Sequence, residues 1–126
     1  MRKLILFGYC ILLVMASSVV VAGTVDEDSM DLMKDKQKSL SSNISLNDAK
    51  AATDDANEMA DMFDDVEAFF VKKGNAADAV DWAKDSKDLA GTIVKSIAAN
   101  DFDTAAKTSV TLAKTCKSCH NIYKKD

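Results

Sequence analysis

No proline interrupts this sequence of 126 residues, and it holds only four glycines. Sheets and barrels need frequent tight turns, and tight turns draw on those two residues. A chain so poor in both is committed to long helices. Its hydrophobic share of 48% is enough to offset the entropy of ordering, so it reads as folded rather than disordered. Its length bounds it to one domain.

The first segment is set aside before any fold argument. Met1-Arg2-Lys3 is a basic start, Leu4 to Val21 is almost wholly apolar, and Val20-Val21-Ala22 offers residues of the type a signal peptidase reads. This is the pattern of a secretory signal peptide over residues 1–22, with the working domain over 23–126 and a periplasmic location. An uncleaved membrane anchor is the alternative reading of the same run. Cys10 falls inside it and is discarded on cleavage; no membrane association is expected afterwards. Arg2 and Lys3 leave with the leader, so fourteen lysines then face twenty acids, a formal net charge of −6. That balance argues against nucleic acid, which needs basic patches, and suits a dispersed protein that docks on basic partners.

Apolar positions recur at helical spacing in four segments. In the first, from about Asp26 to Asn43, the stripe is Met30, Met33, Gln37, Leu40 and Ile44; Ser41-Ser42-Asn43 should end the helix. The second begins near Ser45, with Ser45 and Asp48 resembling a capping box. It carries Ala49, Ala52, Ala56, Met59, Phe63, Val66 and Phe70, and stops at Gly74 after Lys72-Lys73. Asn75 is the expected cap of the third, whose stripe is Ala79, Trp82 or Ala83, Ser86, Leu89 or Ala90, Ile93 and Ile97. Asp101 or Asp103 caps the fourth, with Phe102, Ala106, Ser109, Val110, Ala113, Cys116, His120 and Tyr123 on one face. Four amphipathic helices with short links predict an all-α, antiparallel four-helix bundle. The stripes of the second and fourth are rich in Ala and Ser. Small residues there either let helices approach or leave room for a bulky apolar cofactor.

Cys116-Lys117-Ser118-Cys119-His120 carries the chemistry. CxxCH is the pattern of c-type haem attachment. Steps of three and four put Cys116, Cys119 and His120 on one face of a helix. Two thiols can then add across the two vinyl groups of one porphyrin edge while the imidazole reaches the iron. The expected cofactor is therefore one haem c, covalent through Cys116 and Cys119 and ligated by His120. Competing readings are weaker: a thioredoxin-type pair expects a βαβ setting, and a zinc site lacks further Cys or His ligands. His120 is the only histidine, so the sixth iron position falls to methionine, to a weak ligand, or to none.

The run Thr115-Cys116-Lys117-Ser118-Cys119-His120-Asn121-Ile122-Tyr123-Lys124, close to the C-terminus of a four-helix chain with a leader, resembles the class II c-type cytochromes, the cytochrome c′ and cytochrome c556 group. Asp81-Trp82-Ala83 is similar to that family's tryptophan segment in its third helix. Lys124 stands where the family often has arginine, keeping the charge without the planar fork. The resemblance implies a left-twisted bundle holding haem between helices. In the c556 members a methionine of the first helix binds the iron and the protein carries electrons. In the c′ members the distal site is open and binds NO or CO. Leu32-Met33-Lys34-Asp35 is similar to the c556 ligand segment, which implies Met33; Met30, one turn earlier, is the alternative, as comparison with cytochrome b562 favours. The resemblance also admits a homodimer through helices 1 and 2.

The expected function is thus single-electron transfer to a redox partner protein through a His/Met-ligated haem, with gas binding as the alternative. No enzyme chemistry is expected: no nucleophile–base pair stands out, and Asp54-Asp55 and Asp64-Asp65 read as solvated faces, as do Lys34, Lys36, Lys38, Lys72 and Lys73. Phe63, Phe69, Phe70, Trp82, Phe102 and Tyr123 are candidates for an apolar pocket wall, whereas Met59 and Met62 read as packing.

Overall fold

The structure, a computed structural model, describes residues 25–123. The leader expected over 1–22 and the lysine at 124 lie outside the described residues, as does the side chain of Tyr123. Four helices follow one another: α1 (Glu27–Ser45), α2 (Ala49–Lys73), α3 (Ala77–Ala98) and α4 (Phe102–Tyr123). Each packs on its chain neighbours and α4 closes back on α1, with α2 and α3 sharing the most extensive interface and α1 and α4 the least. The three links are short, so successive helices run antiparallel and form a four-helix bundle. Among the described residues, no helix is long and apolar enough to cross a membrane.

Local chemistry sets the helix ends. Asp26 caps α1: its carboxylate accepts from the Ser29 amide at 2.8 Å, and the Ser29 hydroxyl accepts from the Asp26 amide at 2.9 Å. Glu27 and Asp28 in the first turn suit the positive end of the dipole. The links each place an asparagine in the left-handed region, Asn47 (φ 54°), Asn75 (φ 55°) and Asn100 (φ 57°), a conformation asparagine tolerates better than most residues. Gly74 (φ 71°) ends α2, as expected. Asp101 caps α4, its carboxylate accepting from the Thr104 amide at 3.0 Å and hydroxyl at 2.7 Å, and these two donors hold its pKa below the usual value.

Three expected boundaries are corrected. Helix α1 runs through Ser41-Ser42-Asn43 to Ser45, because those side chains do not turn on their own backbone to break it. Asn43 reaches across to Asp55, and the Ser45 hydroxyl donates back to the Ser41 carbonyl at 2.9 Å. The Ser45–Asp48 box does not form; Asp48 itself caps α2 through the Ala51 amide at 3.0 Å, and Ala49 is exposed. Asn75 is spent on the turn, leaving Ala76 at the start of α3 without a side-chain cap, while Asp78 accepts from the Ala79 amide at 3.0 Å.

The core is uneven along the bundle. The largest fully buried side chains, Leu40, Met59, Ile93 and Leu112, all sit in the half formed by the C-terminal part of α1 and the N-terminal part of α4. Ala52 and Ala56 are fully buried there too, so the alanines of α2 serve close helix approach. The stripes expected for α1 and α3 are buried much as read, and Met59 and Met62 pack in or against the core. That of α4 is rotated: Ala105, Ser109 and Leu112 are buried, whereas Ala106 and Val110 are exposed. The inward series runs Ala105, Ser109, Leu112, Cys116, so the face that carries the cysteine continues the core through leucine rather than valine.

Helix α1 is fastened by polar bonds on both flanks. On one, Asp55 of α2 is buried and accepts from Ser39 Oγ at 2.6 Å, Asn43 Nδ2 at 2.8 Å and Lys36 Nζ at 3.3 Å. Lys36 also pairs with Glu58 at 2.6 Å. The reading of Asp55 as part of a solvated face is therefore wrong, and Lys36 is engaged rather than free in solvent. On the other flank, Gln37 Nε2 donates to the Ser109 carbonyl at 3.1 Å and hydroxyl at 3.0 Å, across to α4; its buried Oε1 has no hydrogen-bond partner among the described residues. Replacing Asp55 with alanine leaves three donors of α1 without their acceptor. We expect a loss of about 2 kcal/mol, read as a lower urea midpoint with an unchanged slope.

Candidate functional site

The other half of the bundle is hollow. The N-terminal part of α1, the C-terminal part of α2, the start of α3 and the end of α4 surround a cavity of about 340 Å³. That is within the range of about 300–1,000 Å³ usual for small-molecule sites. The room comes from small residues: Ala79, Ala83 and Ser86 on α3 and Ala113 on α4 line it. The expectation that small residues leave space holds for α4 but belongs to α3 rather than α2. Phe63 and Val66 of α2 and Trp82 of α3 supply the bulkier apolar wall. Of the other candidate wall residues, Phe70 is buried elsewhere, Phe69 is partly exposed, edge-on to Phe70, and Phe102 lies at the opposite end. A second hollow at that opposite end is lined by Asn47 and Asn100 to Asp103 and belongs to the helix links.

The chemistry-bearing residues converge on the first cavity. Cys116, Cys119 and His120 line it from α4; Met30 and Met33 line it from α1. Met33 is buried and Met30 partly so. Residues separated by more than eighty positions in sequence therefore face one space. Lys34, Lys38 and Lys117 stand at its margin with Asp31. Sequence reasoning did not single out Gln37, which also lines the cavity; its signal was a polar side chain in the middle of an apolar stripe.

The two thiols are protonated at neutral pH. Burial pushes Cys116 up to about 11, with the neighbouring Cys119 adding to it. Burial, with the Asp78 carboxylate, raises Cys119 also. Both lie in the last turns of α4, whose dipole disfavours a thiolate. A thioredoxin-type pair has the opposite setting, at a helix start that lowers its pKa. We expect Cys116 to resist iodoacetamide at pH 7.5. Its alkylation should quicken by about tenfold per pH unit toward pH 10, since only the thiolate reacts and its fraction rises tenfold per unit below the pKa. The measurement is the rate of mass gain in the haem-free chain.

No group of three or more His, Cys, Asp or Glu among the described residues is arranged to hold a bare metal ion. The donor set instead suits a flat apolar group. Two thiols and an imidazole line it from α4, two methionine thioethers from α1, and small side chains from α3 and α4. These residues fit a haem. No family profile, curated protein or solved structure matches the chain.

Proposed function

We propose that this chain is a monohaem c-type cytochrome of the class II kind, exported to the periplasm, that passes single electrons to a redox partner protein. The observation that carries this reading is the convergence of Cys116, Cys119 and His120 of α4 with Met30 and Met33 of α1 on one cavity. Bound there, haem supplies a one-electron iron couple, whose potential methionine ligation raises. The chain's own residues do the rest. Cys116 and Cys119 would hold the group by thioethers, each S–H adding across a vinyl double bond, sulfur to one carbon and hydrogen to the other. His120 would supply a nitrogen to the iron. Met33, the more deeply buried of the two methionines, would supply a sulfur.

Phe63, Val66 and Trp82 give the cavity an apolar wall that would lower the dielectric around a bound haem, which favours the less charged iron state. Lys34 and Lys38, one turn apart on α1, put two cations at the margin, where the two carboxylates of a haem need counter-charge. The polar bonds from α1 to Asp55 and Ser109 keep its methionine face fixed, so little rearranges when an electron arrives.

The test is the intact mass of the chain purified from cells that attach haem c. The expected mass is that of the processed polypeptide plus one haem, retained through acid denaturation, with a single one-electron wave on potentiometric titration. A polypeptide of unmodified mass from such cells would overturn the reading.

A further inference from the structure

Charge is not spread evenly over the bundle. Helix α2 carries Asp54, Glu58, Asp61, Asp64, Asp65 and Glu67, all beyond the core apart from their partner Asp55. Helix α4 is the reverse: after Asp103 it has no acidic residue, and Lys107, Lys114 and Lys117 are its charges up to the cysteine motif. At about 100° per residue these three lysines and Val110 fall within about 80° of the helix circumference. That sector lies opposite the buried series of Ala105, Ser109 and Leu112, and all four residues are exposed.

Two further observations bear on this sector. Lys107, Lys114 and Lys117 make no ion pair among the described residues, as is also true of Lys34, Lys72, Lys73, Lys84 and Lys95, but these three share one sector of a helix with no acid beyond Asp103. Val110, between Lys107 and Lys114, is 57% exposed, a large apolar side chain at the centre of a charged rim. An apolar centre with a polar rim is the layout of a protein contact. The sector also reaches the cavity margin, since Lys117 is part of both.

We propose that the outer face of α4, formed by Lys107, Val110, Lys114 and Lys117, is the docking surface for an acidic partner protein. The role of that partner in electron transfer rests on the function proposed above; the surface itself does not. Although the chain after its leader is net acidic, its helical acids lie on α1, α2 and α3, most densely on α2, while α4 holds only Asp103, so the molecule is electrically polarised and turns α4 toward a negative surface. The whole-chain charge, which suggests basic partners, is thus misleading at the face nearest the cavity. A nucleic acid is disfavoured because a stripe of three lysines broken by valine neutralises few phosphates.

The test is an amide-resolved NMR titration of the purified full chain with polyglutamate, at low salt. The expected result is shifts confined to residues 107–117, lost on adding salt, with affinity about tenfold weaker in Lys107→Glu/Lys114→Glu. The control Lys84→Glu/Lys95→Glu changes net charge equally on α3 and should leave the affinity within about twofold. Shifts centred elsewhere, or equal weakening by both variants, would overturn the proposal, as would binding to vesicles containing anionic phosphatidylglycerol as tight as binding to polyglutamate. The visible spectrum of the same sample reports haem: its absence would remove the electron-transfer reading while the titration still decides the surface.

Discussion

Replacing both cysteines, Cys116→Ser and Cys119→Ser, should abolish covalent haem outright. In cells that attach haem c, the native chain should stain for haem after denaturing electrophoresis and the double variant should not. Serine is close to cysteine in size and removes the sulfur that adds to a vinyl group. The same change should cost stability heavily. The cavity of about 340 Å³ is lined mainly by apolar atoms. On a scale of about 24 cal/mol per Å³, leaving it unfilled costs up to ~8 kcal/mol, an upper bound for a space that opens to water. The whole stability of a domain is only about 5–15 kcal/mol. The haem-free chain should therefore unfold at a much lower urea concentration than the loaded one. Equal midpoints would mean that nothing large occupies the cavity.

The second large effect is at the distal position. Met33→Ala should turn a low-spin haem high-spin and strengthen carbon monoxide binding by at least about tenfold, the effect of removing a competing ligand worth ~1.4 kcal/mol. Met30→Ala should leave the spectrum unchanged. The two methionines are one turn apart and both line the cavity, but Met33 is buried while Met30 is only partly so. The reverse outcome would assign the ligand to Met30. Spectra unaffected by either change would mean an open distal site and a gas-binding protein.

Most of the fold is legible in the sequence, because helix periodicity and end signals are local. Gly74 and Asp101 act as read, and the buried positions of α3 follow the expected stripe. What the sequence conceals is long-range. Asn43, with Ser41 and Ser42, looks like a residue that ends a helix until Asp55, on the next helix, is seen to accept from it. Asp55 looks solvated beside Asp54 for the same reason, since its donors are twelve to nineteen residues away. The face of α4 was misjudged because Val110 and Leu112 offer two apolar registers and only packing chooses between them.

The candidate site is legible for a different reason. The spacing of Cys116, Cys119 and His120 is itself helical, so the motif fixes their common face wherever the helix lies. Their meeting with Met30 and Met33 depends on α4 returning to α1, which follows from four helices joined by short links. The space between them was expected from small residues, but its placement against α3 was not. Ala79, Ala83 and Ser86 line it from α3, a role that depends on how the helices pack and not on local sequence.

The most direct test is the absorption spectrum of the protein matured in haem-attaching cells, ferric and ferrous, with and without carbon monoxide. The expected result is covalent haem with a sharp low-spin ferrous spectrum that the gas leaves unchanged. A protein without haem absorption, or a high-spin ferrous form that shifts with carbon monoxide, would contradict it.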